Sequence, residues 1–169
     1  MPVPEMIPID RASIGHLVAK ARLSKRGRLN LNFHPHDSDP LQRLLNAIEP
    51  GSYIQPHKHQ DPDKTEAFII LQGRLAVVVF DDAGQITGHI ILDPSDGTFG
   101  VEIPPRTWHM ILALTTGTVV YEVKNGPYNP ADDKKFAEWA PAETDTRTAE
   151  FLEKIYGDLN INPHNFNIH

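Results

Sequence analysis

The run Gly51-Ser52-Tyr53-Ile54-Gln55-Pro56-His57-Lys58-His59 carries the first clue to the fold and to the chemistry of this chain. In an extended strand, residues i and i+2 point to the same side. His57 and His59 therefore present two imidazoles to one place. Neutral imidazole is a common ligand for zinc, iron, copper and nickel. Glu66 opens the next strand-like run after a loop and can add a carboxylate. Tyr53 and Gln55 share the parity of His57 and are candidates for lining the same pocket, although Pro56 can break that parity.

Outward from this run, residues 41–124 read as short strands over 42–48, 52–59, 67–71, 75–80, 85–92, 98–103, 108–114 and 118–124. Turn-formers such as Glu49-Pro50-Gly51, Gln72-Gly73, Asp93-Pro94-Ser95-Asp96-Gly97 and Pro104-Pro105 separate them. Short strands at such spacing predict an all-β sandwich or barrel. Leu75-Ala76-Val77-Val78-Val79-Phe80 is apolar on both faces, so one face should meet the core and the other a second sheet or a subunit. His109 starts a later strand, about 50 residues after the first histidine pair, where a closed barrel can return it to the same site. Arg106, in the turn before it, is either an exposed turn residue or a bidentate partner for a carboxylate or phosphate. Glu122 shares a face with Val120 and either points inward beside the ligands or makes a surface ion pair.

On the N-terminal side, Asp10 reads as an N-cap, and Ile14, Leu17, Val18 and Ala21 fall on one helical face, predicting a helix over 11–24. On the C-terminal side the strand pattern breaks at Asn125-Gly126-Pro127-Tyr128-Asn129-Pro130. Residues 131–148 read as a charged loop, 150–156 as a short helix, and 157–169 as a loose tail or an arm on another subunit. The expected organisation is a lead-in with a helix over 1–28, a barrel over 29–128 and a C-terminal extension over 129–169.

The chain has 169 residues, enough for one domain with its own core, and no cysteine. Disulfides, thiolate zinc sites and cysteine nucleophiles are excluded. Sixteen basic and 22 acidic residues give a net charge of −6, which argues against a nucleic-acid partner. Residues 11–36 are the exception, with six basic residues and no acid; they form either a solvated face or a dock for an anionic ligand. No basic start precedes an apolar run, and no run approaches the ~20 residues that span a bilayer, so the expectation is a cytoplasmic protein with no membrane partner. His34-Pro35-His36 is a second His-x-His, in a Pro/Asp-rich loop without a carboxylate at matching spacing. His16, His89, His164 and His169 have no partner at ligand spacing. No Gly-x-Ser-x-Gly and no phosphate-cradling Gly-rich loop occurs, so any chemistry is expected to run through a metal.

Gly51, His57, His59, Glu66 and Gly73 resemble the first motif of the cupin superfamily, and Pro104 and His109 resemble the second. Six residues separate His59 from Glu66 where that motif has three or four, which leaves Asp61 or Asp63 as substitutes for Glu66; Arg106 stands where the second motif has glycine. The segments 42–51, 75–82, 103–109, 121–128 and 136–141 resemble the WbuC-type cupin fold metalloproteins, and the likeness runs over roughly residues 7–143.

The resemblance implies a mainly β fold: a single double-stranded β-helix, or jelly-roll, barrel with an N-terminal helix and a short helical or irregular C-terminal tail. It implies one divalent metal ion (zinc, iron, nickel or manganese) on His57, His59, Glu66 and His109, with Glu66 also a candidate catalytic base. Tyr53, Gln55, Arg106 and Glu122 are the expected substrate contacts. Proteins of this kind are often associated with bacterial surface-polysaccharide (O-antigen) biosynthesis. The expected function is a small-molecule metalloenzyme, either a Lewis-acid isomerase or hydrolase or an iron-dependent oxygenase. The alternative is a non-catalytic, metal-stabilised module that binds a sugar or carboxylate. A homodimer is expected from the likeness to other cupins.

Overall fold

The computed structural model describes residues 6–162. His164, His169 and the tail beyond residue 162 lie outside the described residues. Helix α1 (Arg11–Leu23) begins with a reciprocal cap. The Asp10 carboxylate accepts from the Ser13 N–H at 2.9 Å, and the Ser13 hydroxyl oxygen accepts from the Asp10 N–H at 3.0 Å. Its buried residues Leu17, Val18 and Ala21 pack on Leu45, Ala47 and Val119.

Ten strands follow: β1 (Arg28–Asn32), β2 (Leu41–Ile48), β3 (His57–Lys58), β4 (Glu66–Gln72), β5 (Leu75–Phe80), β6 (Ile86–Leu92), β7 (Gly100–Ile103), β8 (Trp108–Ala113), β9 (Thr118–Asn125) and β10 (Lys135–Phe136). Helix α2 (Thr148–Asp158) closes the described chain. The strands form two five-stranded antiparallel sheets, in the orders β1-β2-β9-β4-β7 and β10-β3-β8-β5-β6. Successive strands mostly hop between the sheets, so the sandwich is a double-sheet jelly roll.

Side-chain parity sorts the residues into three apolar layers. Phe68, Ile70, Leu75, Val77, Ile111 and Val120 fill the space between the sheets. Ala76, Val78, Phe80, Met110 and Leu112 point the other way. They are covered by Leu152, Ile155 and Tyr156 of α2, and by Ala137 and Ala140 of the segment before it. The second apolar face of Leu75–Phe80 is thus covered by the chain's own C-terminal segment, rather than by a second sheet or subunit. Each fully buried Val, Leu or Phe side chain contributes roughly 1.5–3 kcal/mol, so this layer ties the extension firmly to the barrel.

Two local readings change. The run 52–59 is mostly not a strand: only His57–Lys58 joins a ladder. Pro56 has no N–H to donate. The carbonyls of this run find other donors, with Tyr53 O accepting from Arg28 Nη1 at 2.8 Å and Pro56 O from the Ala137 N–H at 2.9 Å. The charged segment 131–148 contains β10, whose Lys135 and Phe136 pair with Lys58 and His57. That segment therefore reaches the histidine strand.

Candidate metal centre

The cluster is assembled from both sheets. His57 on β3 lies directly opposite His109 on β8, with ring centroids 4.6 Å apart. His59 follows β3 by one residue, and Glu66 opens β4 in the facing sheet. His109 shares its parity with Ile111 and Ala113, and Glu66 with Phe68 and Ile70, so both point between the sheets. One ligand atom from each of the four residues lies within 4.8 Å of the others. All four are buried, at 4, 2, 3 and 1% exposure for His57, His59, Glu66 and His109.

Each imidazole is held through Nδ1 by a backbone carbonyl. His57 donates to Gln55 O at 2.9 Å, His109 to Thr107 O at 2.9 Å and His59 to Asp133 O at 2.6 Å. A carbonyl oxygen can only accept, so each ring carries a proton on Nδ1 and turns Nε2 toward the cluster. The Nε2 atoms of two of them converge on the Glu66 carboxylate, with Oε2 3.1 Å from His109 Nε2 and 3.4 Å from His59 Nε2. Four electron-rich atoms face one another, which only a cation or extra protons can reconcile. Two donors bound to one ion at about 2.0–2.1 Å, at tetrahedral angles, stand about 3.4 Å apart. The residues present therefore fit a divalent ion, and three histidines with one carboxylate suit zinc, iron, nickel and manganese alike.

Burial, with Lys134 and His109 nearby, holds His57 well below the usual imidazole range, so this ring is neutral at physiological pH. Burial pushes the Glu66 carboxyl up, but hydrogen bonds from His109 and His59, with protons on Nε2 standing where a shared cation would, outweigh it and hold the group well below the carboxylate range. Glu122 behaves oppositely: burial first, then the charge of Glu66, pushes it up to about 8. Of these two neighbouring carboxyls, Glu66 carries the charge and Glu122 keeps its proton at neutral pH.

Behind the cluster lies a buried ion-pair network that the sequence reading missed. Lys64 Nζ donates to Asp133 Oδ1 at 2.8 Å and to Pro127 O at 2.6 Å, while Lys124 Nζ donates to Asp133 Oδ2 at 2.6 Å. Lys64 is 1% exposed. Lys124 was open to detection, since it continues the inward parity of Val120 and Glu122. Lys64 lies in the long His59–Glu66 hairpin and Asp133 in a charged loop, and neither position carries a periodic signal.

The other predicted residues separate. Glu122 and Gln55 line a cavity of about 720 Å³ beside the cluster. Glu122 accepts from Asn46 Nδ2 at 3.3 Å, and the Gln55 amide donates to Ala137 O at 3.0 Å. Tyr53 packs edge-on against Phe151 and donates its hydroxyl to Pro141 O at 2.7 Å, away from that cavity wall. Arg106 is exposed and pairs with Asp63 at 2.9 Å and Asp61 at 3.4 Å, so these three charges staple two loops together. Neither Asp61 nor Asp63 is in the four-residue cluster. His34 lines the cavity with Nδ1 3.0 Å from the Arg43 backbone nitrogen, while His36, His16 and His89 are exposed. The four cluster residues are buried, and none of them lines the cavity.

Comparison with known proteins agrees at the level of fold. Residues 9–92 match a family model described as a domain of unknown function, DUF6016. No curated protein matches the chain in sequence. The capsular polysaccharide assembling protein CapF from Staphylococcus aureus superposes with a TM-score of 0.53 at 23% identity, covering 64% of this chain and 29% of that one. The L-ribose isomerase of Cellulomonas parahominis, solved with L-psicose, gives 0.52 at 17% identity, covering 72% of this chain and 73% of that one. A cupin-2 domain from Rhodospirillum rubrum gives 0.49 at 16% identity, covering 76% and 79%. The chain spans about a third of the length of the CapF chains it resembles. The protein has a cupin fold with a buried His/His/Glu/His cluster able to hold a metal ion. Among the described residues, no helix is long and apolar enough to cross a membrane.

Proposed function

We propose that this protein is a metal-dependent cupin enzyme acting on a small polar substrate of the sugar or carboxylate type, with one divalent ion on His57, His59, Glu66 and His109. The observation that carries the reading is the convergence of three carbonyl-oriented imidazoles on a charged carboxylate. A bound ion would supply Lewis acidity toward a substrate oxygen or, as iron, dioxygen chemistry. Glu66 is a ligand in this reading. Glu122, on the cavity wall and with a proton affinity near neutrality, is the better group to hold or move a proton. Gln55 links cavity to cluster, since its side chain lines the former and its carbonyl orients His57. The folds shared with a polysaccharide-assembling protein and with a sugar isomerase support a sugar-type substrate and a place in surface-polysaccharide synthesis. Placement among the WbuC-type proteins and a homodimer belong to the same reading and rest on the sequence resemblance, and a cytoplasmic location is part of it.

The burial of all four ligands, none of which lines the cavity, favours one other reading, a closed metal that stabilises the barrel of a non-catalytic binding module. Elemental analysis of protein purified without chelator or metal-affinity resin, beside His57→Ala/His59→Ala, tests the metal. About one equivalent, lost in the double variant, supports it, and no metal under several growth conditions overturns it. Turnover of a sugar panel that is lost in Glu122→Gln, with the metal retained, separates the enzyme from the binding module.

A further inference from the structure

The cavity wall carries polar groups that neither the metal cluster nor the fold uses. Asn46 is 7% exposed, and its Nδ2 donates to Glu122, but its Oδ1 has no hydrogen-bond partner. A buried amide oxygen left unpaired is costly, so this position expects a donor from a ligand. Asn30 on β1 stands directly opposite Asn46 in the ladder, and Asn32 follows at i+2 on the same face. Both line the cavity, both are exposed, and neither side chain makes a hydrogen bond among the described residues.

Charge on the wall is unbalanced in one place. Arg28 is taken by Glu143 at 2.6 Å and Lys124 by Asp133 at 2.6 Å. Lys134, half-buried, and Arg26, exposed, have no ion-pair partner among the described residues, against one unpaired and exposed acid, Asp37. The rings of Tyr128 and Phe136, 38% and 48% exposed, lie on the same wall and offer apolar faces to C–H groups.

We propose that this cavity binds an acidic sugar: a polyhydroxylated ring bearing a carboxylate or phosphate, its acid group on Lys134 and its hydroxyls on Asn46, Asn30 and Asn32. This deepens the proposed function by naming the substrate class of that site, and it rests on the cavity being the ligand site. A hydroxyl satisfies the Asn46 oxygen, the two exposed amides can donate or accept with further hydroxyls, and the acid group neutralises the one half-buried cation of the wall that lacks a partner.

Titration calorimetry on the full chain tests this with glucuronate, galacturonate and mannuronate, the corresponding hexose phosphates, and the neutral hexoses. At least one acidic sugar should bind about tenfold or more tightly than its neutral parent, the size of one charge-assisted hydrogen bond. Lys134→Gln should erase that preference. Asn30→Ala, at an exposed position that leaves folding intact, should weaken acidic and neutral forms of the sugar by the same factor. The uronate and phosphate arms tell which acid group the site takes. Binding by none of the acids, equal binding of acid and neutral parent, or a preference that survives Lys134→Gln overturns the proposal. Metal content is measured on the same samples. A metal-free wild type that keeps the Lys134-dependent preference fails the metal reading alone, and a fully loaded protein without the preference fails the subsite alone.

Discussion

The backbone carbonyl of Asp133 accepts a hydrogen bond from His59 Nδ1 at 2.6 Å, while its carboxylate binds Lys64 and Lys124 at 2.8 and 2.6 Å. One residue of the C-terminal segment thus fixes the tautomer of a candidate ligand and neutralises two buried ammonium groups. The segment is part of the site rather than an appendage to the barrel.

Asp133→Asn should therefore destabilise the protein by about 3–5 kcal/mol, because it leaves buried cations without a counter-charge. Burial pushes the Asp133 carboxyl up, and Lys124 and Lys64 outweigh it, so its net position is below the ordinary 3.8. A depressed carboxyl contributes stability that is present above the unfolded value and lost as pH falls through the folded one. Urea unfolding should show the full gap between wild type and variant at neutral pH, and a closing gap as the pH drops below 3.8. A gap that does not depend on pH would assign the loss to packing instead.

Glu122→Gln should stabilise the chelated, metal-free protein in alkali. The Glu122 carboxyl is raised from 4.5 to about 8, so the native state binds more protons than the unfolded state between those values. Stability then falls as pH rises through that window, and a neutral amide removes the penalty. The melting temperature of the variant relative to wild type should climb between about pH 5 and about pH 9. A constant difference contradicts the assignment of the proton to Glu122.

Glu66→Gln should weaken metal binding by more than the about 10–100-fold that loss of an outer partner costs, because it removes the only anionic ligand of the cluster. Chelator should lower the melting temperature of the wild type and leave that of the variant unchanged, since only a bound ion stabilises by mass action.

Gly73→Ala and Gly97→Ala should differ although both glycines have left-handed φ, +79° and +80°. At Gly73 a Cβ would lie 2.5 Å from Thr118 Oγ1 and 2.9 Å from its Cα, whereas at Gly97 nothing lies within 4 Å. The backbone strain of about 1–2 kcal/mol is common to both, and overpacking adds about 1–3 kcal/mol at Gly73 alone. Urea midpoints of the two variants measure the difference.

Much of the fold was legible because strands of period two and an N-capped helix announce themselves locally. Asp10 caps α1 as its position predicts, and Leu75–Phe80 is a strand over the residues its composition marks. The run 52–56 was misread because alternation alone does not tell whether a backbone finds a ladder partner; here Arg28 and Ala137 supply the donors. His57 and His59 were legible from their strand spacing, while the resemblance to the two cupin motifs joined Glu66 and His109 to them. Parity makes Tyr53 a candidate for the pocket unless Pro56 breaks it, and the C-terminal segment draws it under Pro141 and Phe151.

The amino-acid sequence by itself determined helix α1, most of the strands, the two-faced apolar strand and the residue types able to hold a metal, since each follows from local periodicity and side-chain chemistry. Only the tertiary structure decided what covers the outer face of Leu75–Phe80, how Glu66 and Glu122 share one proton, and which residue locks His59. Those outcomes depend on groups far apart in the chain, His59 and Asp133 being 74 residues apart, that meet only when the second sheet and the C-terminal segment close over the barrel.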